Sequence, residues 1–376
     1  MSPRAYLART AIFGLAFALM VIVFNWLVDP YAVFGTPRIS GLNANKIDIN
    51  NFTRLSKRYQ PGFDSHNALI VGNSRVELGI NPAHPCLREA GWKTYNLGLP
   101  GASVRTQLEY ALNVMHQQAI EQVFISVDFT DFISSSPLEV DTVTPMLSQQ
   151  GGELKYLPGG QFNPQYPVVV ATDYYKSLFT LDSLVSSFTT VIGQSERAPD
   201  RDESGFNPGR DFAEAVRVEG AHALFAQKTD ELERKYSSQW YLRDSAGRLE
   251  SSFGYLSEFL VIAGERGVAV HIFTNPLHDS YWALLERRGM MPLYADWLAS
   301  IERLVMEHEG AAVTFWDFSA NSGFIHEPLP EEGVGSEPLQ WFWEPAHYRE
   351  ELGSLMLDAM LSESCNSRIL FGRKIL

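Results

Sequence analysis

Residues 68–75 read Ala-Leu-Ile-Val-Gly-Asn-Ser-Arg, and this stretch decides the predicted fold. Its first four residues form a continuous apolar run without alternation, which is typical of a strand buried on both faces of a parallel sheet. Gly72 then allows a sharp turn, so Ser74 falls at the carboxyl end of the strand. Open α/β sheets bind their ligands at that end, which makes Ser74 a candidate functional residue. The alternative is a serine that only caps the next helix.

Further apolar runs extend the same pattern along the chain. A helix is predicted over 103–118, where apolar residues recur at helical spacing between two strands. This order of strand, helix and strand implies right-handed crossovers and a parallel sheet. We therefore predict an α/β fold with a sheet of about five parallel strands. The predicted strands are 68–71, 90–96, 123–127, 268–273 and 312–316.

The pattern is interrupted between residues 134 and 252, where no unit of strand, helix and strand can be recognised. This segment contains Gly- and Pro-rich loops and two helical stretches, 174–191 and 211–236. An insertion of this length after a strand is typical of a cap over a site, and a docking surface is the alternative. The predicted organisation is an anchor at 1–28, a connector at 29–64, a core of 65–133 and 253–376 with a C-terminal helix, and a mainly helical insertion at 134–252.

The N-terminus carries an apolar run at 11–28 that is long enough to span a bilayer and has Asn25 as its polar residue. Arg4 and Arg9 precede this run and Asp29 follows it, so the positive-inside rule places the N-terminus in the cytoplasm. The alternative is a cleaved signal peptide, but the run is longer than a usual signal core and lacks an A-x-A site. We expect a single-pass anchor in a bacterial-type inner membrane, with the main domain in the periplasm.

Charge and cysteine content exclude several classes of protein. The formal net charge of -14 gives no electrostatic support to nucleic-acid binding. The two cysteines, Cys86 and Cys365, lack metal-ligand spacing, and we expect neither a metal nor a cofactor. They are either separate buried thiols or, in an exported domain, a disulfide.

A second candidate feature lies near the C-terminus, where two residues separate Glu344 from His347. In a turn, this spacing lets the carboxylate reach one ring nitrogen of the histidine and fix its tautomer. The other ring nitrogen is then free to accept the proton of a nucleophile. Ser74 and His347 are therefore a candidate nucleophile and base that meet only in the folded chain, with Glu344 orienting the base.

Three short blocks together resemble the SGNH/GDSL hydrolase superfamily. They are 72–74 (Gly-Asn-Ser) after the first strand, 96–101 (Asn-Leu-Gly-Leu-Pro-Gly) after the second, and 344–347 (Glu-Pro-Ala-His) near the end. The resemblance covers residues 65–132 and 268–360 and leaves the N-terminal run and the insertion unmatched. It implies a flavodoxin-like, three-layer fold of the SGNH hydrolase type and no cofactor.

The resemblance also implies roles for individual residues. In that family the serine of the first block is the nucleophile, and the glycine of the second block donates its amide to the oxyanion hole. The last block is Asp-x-x-His. These roles correspond here to Ser74, Gly101 and His347, with Glu344 in place of the aspartate and the Ser74 amide as a second oxyanion donor.

The third block of the family departs from its usual form in this chain. SGNH proteins place an asparagine in a Gly-x-Asn-Asp turn after the third strand, whereas residues 127–131 here read Val-Asp-Phe-Thr-Asp. A missing donor in such a hole costs about two to three orders of magnitude in rate. The candidates to replace it are Asn73, Thr130 and Asn275.

Other polar residues follow predicted strands at the same edge of the sheet. The candidate substrate contacts are Arg75, Thr130, Asn275 and His278. Each has a simpler alternative role in a turn or at the surface. Asp128 and Asp131 are expected to be buried hydrogen-bond partners of the loops rather than catalytic groups.

We expect an exported, membrane-tethered serine esterase or O-acyl (acetyl) transferase that acts on an acylated carbohydrate of the envelope or of an extracellular polysaccharide. This expectation rests on location and resemblance, not on a pocket residue. Envelope polysaccharide machinery is a candidate partner. The alternative is a catalytically degenerate SGNH-like domain that binds glycan or scaffolds an envelope polysaccharide assembly.

Overall fold

A six-stranded, mostly parallel sheet lies at the centre of the larger part of this protein, as a computed structural model shows it. The structure describes residues 2–138, 147, 152–195, 200–308, 312–319, 323–333, 337–365 and 371–376. The strands are β1 (Ala68–Gly72), β2 (Thr94–Gly98), β3 (Gln122–Val127), β4 (Ala269–Thr274), β5 (Val313–Asp317), β6 (Phe342–Glu344), β7 (His347–Tyr348) and β8 (Arg373–Lys374).

The sheet has the strand order β2-β1-β3-β4-β5-β8. Its first five strands are parallel, in the 2-1-3-4-5 order of doubly wound, flavodoxin-like folds. Every residue of β1 and β2 is buried, which explains the apolar run at 68–71. The predicted α/β class with a mostly parallel sheet is confirmed. Strand β8, which pairs antiparallel with β5 at the sheet edge, was not predicted from the sequence.

Fourteen helices are present in the described part of the chain. They are α1 (Pro3–Val28), α2 (Thr53–Tyr59), α3 (Ser74–Gly79), α4 (Pro85–Glu89), α5 (Val104–Met115), α6 (Tyr166–Phe179), α7 (Leu181–Ile192), α8 (Arg210–Glu219), α9 (Ala221–Lys235), α10 (Ser251–Glu265), α11 (Asp279–Arg287), α12 (Met291–Glu307), α13 (Glu350–Met360) and α14 (Ser362–Cys365). Short 3-10 turns occur at 49–52, 60–63, 129–131 and 193–195.

The crossover helix α5 begins where its sequence predicts. Ser103 has extended backbone angles, and its side chain accepts a hydrogen bond from the Thr106 amide, which satisfies one of the free donors of the first turn. The face that carries Leu108 and Leu112 is buried, and α5 packs against β1 and α10. This helix therefore connects β2 to β3 by a crossover over one face of the sheet.

The described residues divide into two compact units. The first unit comprises 1–64, 153–155 and 163–203, and the second comprises 65–152, 156–162 and 204–376. The first contains α1, α2, α6 and α7, whereas the sheet lies in the second. The segment predicted as a connector therefore lies in the first unit. The segment predicted as a single insertion is divided, with 153–155 and 163–203 in the first unit and 134–152, 156–162 and 204–252 in the second.

Helix α1 is the one described helix that is long and apolar enough to cross a membrane. It has 26 residues and a mean hydropathy of 2.4 over its most apolar window, of which 11% is buried. A membrane anchor and a signal sequence both have these properties.

A disulfide joins Cys86 in α4 to Cys365 in α14, which answers the question that the sequence left open. The two Cα atoms are 5.2 Å apart, and 279 positions separate the residues in the chain. Closing so long a loop removes entropy from the unfolded chain and stabilises the fold by up to about 5 kcal/mol. The bond ties the C-terminal helices to the segment that follows β1.

We predict that a histidine inside the sheet makes the fold sensitive to acid. His271 on β4 bonds through Nδ1 to Thr314 and through Nε2 to Gln122, and burial, with a smaller contribution from Lys374, lowers its pKa to about 4. The unfolded chain, with a histidine pKa of about 6.5, binds the proton first as the pH falls. Stability should therefore decrease between pH 6.5 and 4, by up to about 3 kcal/mol, and level off below.

The measurement is denaturant unfolding of the full-length protein in detergent at pH 7.5 and pH 4.5. His271→Gln should lose less stability over this interval than the unaltered chain, and His222→Gln on α9 controls for the loss of a histidine as such. Equal losses in His271→Gln and the unaltered protein would contradict the assignment.

Candidate active site

Ser74 and His347 lie within hydrogen-bond distance although 273 positions separate them in the chain. Ser74 Oγ is 2.7 Å from His347 Nε2. Ser74 is the first residue of α3, directly after β1 and Asn73, and His347 is the first residue of β7. Both residues are partly exposed, with 22% of the His347 side chain accessible. The hydroxyl and the imidazole therefore meet at a place that solvent can reach.

The short β6–β7 hairpin sets Glu344 directly opposite His347. The carboxylate of Glu344, 3% exposed, forms a hydrogen bond with His347 Nδ1. Burial alone raises the pKa of Glu344, but His347, the Ala346 amide and Arg75 outweigh it and hold this pKa below its usual value. An ionised Glu344 fixes the proton of the imidazole on Nδ1, which leaves Nε2 as the acceptor for the Ser74 hydroxyl.

Arg75 joins the start of α3 to this hairpin. Its Nε donates a hydrogen bond of 2.7 Å to the Ala346 carbonyl, and its guanidinium forms an ion pair with Asp128. The residue is 7% exposed. The expectation that Arg75 contacts substrate is therefore corrected, because its charged group is buried and bonded to the protein itself. It holds the turn between Glu344 and His347 in place.

The side chain of Asn73 is also used internally. Its oxygen accepts from the Arg75 amide, and its nitrogen donates to Asp128 at 3.0 Å and to Asp131 at 3.1 Å. Thr130 directs its amide and its hydroxyl to Asp128. The expectations of Asn73 as an oxyanion donor and of Thr130 as a substrate contact are corrected, since these donors already have acceptors. Asp128 and Asp131 are loop partners, as the sequence predicts.

Asn275 lies behind the site rather than in it. It is 4% exposed, donates to Ser126 Oγ at 2.7 Å and accepts from the Tyr348 hydroxyl at 3.1 Å. Its predicted contact with substrate, and its role as a replacement oxyanion donor, are corrected because both ends of the amide bind the protein. Asn275 connects Tyr348, the residue after His347, to Ser126 on β3.

His278 is likewise a structural residue. Its Nδ1 accepts from the Ser280 amide and so caps α11, and its Nε2 lies 2.8 Å from the Glu327 carbonyl. Burial lowers the pKa of His278, which favours this neutral arrangement. Its own amide donates to the Pro345 carbonyl in the β6–β7 turn. The expectation of a substrate contact is corrected, since the buried ring has protein partners on both nitrogens.

The backbone amides of Ser74 and Gly101, which follow the ends of β1 and β2, have no acceptor within the described part of the protein. Because β1 and β2 end in register at Gly72 and Gly98, the turns that follow them emerge at one edge of the sheet. Gly101 lies in the second of these turns, is exposed, and has a φ of +63°, which favours glycine. Among the described residues, neither the Ser74 amide nor the Gly101 amide has a hydrogen-bond acceptor. Each amide is therefore free to donate a hydrogen bond to a ligand.

An aromatic side chain that the sequence analysis did not predict lies beside the imidazole of His347. The ring of Phe212 on α8 lies 5.5 Å from that of His347 and stacks on Trp343 at 6.0 Å. Phe212 belongs to the segment predicted as an insertion, and Gly209, three residues before it, packs closely against Trp343. No local pattern distinguishes Phe212 from the other aromatic residues of that segment.

Two glycines allow the base to approach α3. A Cβ atom on Gly79 would lie 2.0 Å from the Tyr348 ring, and one on Gly353 would lie 1.7 Å from the Gly79 carbonyl oxygen. The end of α3 therefore fits between Tyr348 and α13 only because both positions lack a side chain. In the sequence, the two glycines are the only indication of this close packing. The residues that they pack against cannot be identified there, because they are far away in the chain.

One cluster of potential metal ligands occurs elsewhere among the described residues. His84, Cys86 and Asp358 place their ligand atoms within 4.8 Å of one another. Because the Cys86 sulfur is bonded to Cys365, it is not a thiolate that can bind a metal. We assign no metal site to this cluster.

Comparisons with known proteins do not assign a family to this arrangement. The sequence matches none of the protein-family models against which it was scanned, and a search of curated proteins finds no significant match.

We predict that Gly79→Ala both destabilises the protein and disturbs the site. The added methyl group overlaps the Tyr348 ring and must push the neighbouring His347 away from Ser74. Overpacking of this kind costs about 1–3 kcal/mol. Denaturant unfolding measures the stability, and the rate of Ser74 modification by a fluorophosphonate measures the geometry. The control Gly323→Ala, whose Cβ meets open space, should change neither; an unchanged Gly79→Ala would disprove the packing role.

Proposed function

We propose that this protein is an SGNH-like serine hydrolase or O-acyl transferase, anchored in a membrane and acting outside the cytoplasm on an acylated carbohydrate. The observation that carries the proposal is the chain of contacts from Ser74 Oγ to His347 Nε2, and from His347 Nδ1 to Glu344. A nucleophile, a base and an orienting carboxylate in this order are the working parts of serine hydrolases.

The proposed reaction proceeds through an acyl-enzyme. His347 Nε2 takes the proton from Ser74 as its oxygen attacks the ester carbonyl, and the free amides of Ser74 and Gly101 stabilise the resulting oxyanion. The tetrahedral intermediate expels the sugar alkoxide, which receives the proton from His347. Water, or the hydroxyl of an acceptor sugar, then attacks the acyl-serine with His347 again as base, and Ser74 is regenerated.

The substrate class follows from location and from the family resemblance. The apolar helix α1 and the disulfide both fit an exported domain, since disulfides persist in oxidising compartments. Acyl groups on envelope or extracellular polysaccharide are esters available there. Phe212 is partly exposed beside His347, and an aromatic face of this kind suits the apolar face of a sugar ring.

We predict that Ser74→Ala abolishes labelling by a fluorophosphonate, because the probe requires an activated serine. Loss of a triad member in serine hydrolases costs about four orders of magnitude or more, so His347→Ala should reduce hydrolysis of 4-nitrophenyl acetate to a similar degree. Glu344→Gln should leave the fold intact and reduce turnover by about two to four orders of magnitude. Mass spectrometry of the labelled peptide and initial rates check these outcomes.

Ser237→Ala provides the matched control, since its hydroxyl is exposed and only donates to the Arg234 carbonyl. This variant should label and turn over at the rate of the unaltered protein. Labelling at a residue other than Ser74, or unchanged turnover in His347→Ala, would contradict the enzymatic proposal.

A specific observation favours a second candidate function, a non-catalytic glycan-binding domain. The three side chains that could replace the family's asparagine donor, Asn73, Thr130 and Asn275, are all bonded within the protein. Loss of a donor from an oxyanion hole lowers the reaction rate by about two to three orders of magnitude. Binding of acetylated polysaccharide by the full-length protein, without an acyl-enzyme from any activated ester, would favour this candidate over the enzyme.

A further inference from the structure

Helix α7 is amphipathic in the opposite sense to a helix of a water-soluble protein. Its buried side chains all carry a hydroxyl group; they are Ser183, Ser186, Ser187 and Thr190. Its exposed side chains are mostly apolar; they are Leu181, Val185, Phe188 and Ile192, with Asp182 and Thr189 as the polar exceptions. Leu181 is 73% exposed and Phe188 is 53% exposed. In water this arrangement exposes the face that should be buried.

Helix α6, which precedes α7 in a helical hairpin, repeats this inversion. Its buried residues are Asp173 and Ser177, while Val168, Tyr175 and Phe179 are exposed. Apolar surface that is continuous over two helices marks a contact with another apolar phase. The turn of the hairpin, residues 179–181, carries two of these exposed side chains.

The hydroxyl face of the hairpin packs on α1. Asn25, completely buried, donates to the Leu178 carbonyl at 3.0 Å and to Ser183 Oγ at 3.1 Å, and accepts from Ser187 Oγ at 2.8 Å. Small hydroxyl residues that face a polar side chain are typical of helix association within membranes. The aromatic ring of Phe24 also contacts Phe188 at 5.0 Å. Helix α1 is therefore a structural part of the first unit.

The position of Asn25 along α1 indicates how far the hairpin extends below the C-terminal end of this apolar helix. Asn25 lies four residues before Asp29, so the hairpin contacts α1 next to its turn, about 6 Å below the end of the apolar helix. The neighbouring surface of α1, with Met20, Val23 and Leu27, is exposed and apolar as well. The charged Asp182 at the turn excludes burial in the hydrocarbon centre and fits the headgroup boundary.

We propose that α1 is retained as an anchor and that the α6–α7 hairpin inserts its turn into the same membrane leaflet from which α1 emerges. The occupant of the apolar face is lipid: acyl chains meet Phe179, Leu181 and Val185 at the headgroup boundary. Continuity with the exposed apolar face of α1 favours lipid over a second copy of the chain. This inference is independent of the proposed enzymatic activity.

The test uses spin labels on the full-length protein in vesicles of phosphatidylethanolamine and phosphatidylglycerol. Leu181→Cys and Val185→Cys place a nitroxide on the outward face of α7, and the native cysteines are protected by their disulfide. Asp230→Cys, exposed on α9, is the matched control. Dissolved oxygen concentrates in lipid, whereas a nickel chelate stays in water, so their relaxation effects distinguish the two surroundings.

The proposal expects an oxygen-to-nickel ratio severalfold higher at Leu181→Cys and Val185→Cys than at Asp230→Cys. Ratios equal to the control would overturn it. A second copy of the chain on this face would give a different result, namely low accessibility to both reagents and spin–spin broadening that disappears on dilution with unlabelled chains. That result would overturn the assignment of lipid as the occupant. The mass of the protein isolated from membranes supplies a separate check, since a chain that begins after residue 28 would disprove retention of α1.

Discussion

Arg75 donates from Nε to the Ala346 carbonyl and pairs with Asp128, and these contacts join three parts of the chain that are remote in sequence. They are the start of α3, the β6–β7 turn and the end of β3. Because a buried guanidinium must have partners for its charge, each part is held where it can supply one. These contacts hold the start of α3 and the β6–β7 turn together and so support the 2.7 Å distance between Ser74 and His347.

Close packing at two glycines also supports the approach of His347 to Ser74. Gly79 admits the Tyr348 ring, and Gly353 admits the backbone of α3, so the hairpin that carries His347 lies close to the serine without strain. The hydroxyl of Tyr348 is bonded through Asn275 to Ser126 on β3. Polar residues near the site thus form a rigid support, and the groups left for a ligand are the hydroxyl, the imidazole and two backbone amides.

The first unit follows a different rule for the placement of polar side chains. In the second unit the apolar strands of the sheet are buried, whereas α7 buries hydroxyl groups, two of them bonded to Asn25, and the α6–α7 hairpin exposes Phe179 and Leu181. The contacts of Asn25 with Ser183 and Ser187 give these buried polar groups hydrogen-bond partners, which an apolar surrounding requires. The proposed contact of α6 and α7 with lipid accounts for this difference and for their exposed apolar side chains.

Local sequence patterns were sufficient for the buried strand at 68–71, the serine at its carboxyl end, the Glu-x-x-His spacing and the long apolar helix, because each depends on residues adjacent in the chain. They also predicted the mostly parallel sheet, although not the antiparallel β8. They did not reveal that Asn73, Arg75, Asn275 and His278 turn inward, that Cys86 and Cys365 pair, or that Phe212 lies beside His347. Those outcomes depend on partners brought close only by folding, so only the tertiary structure decides which polar residues support the site and which face a ligand.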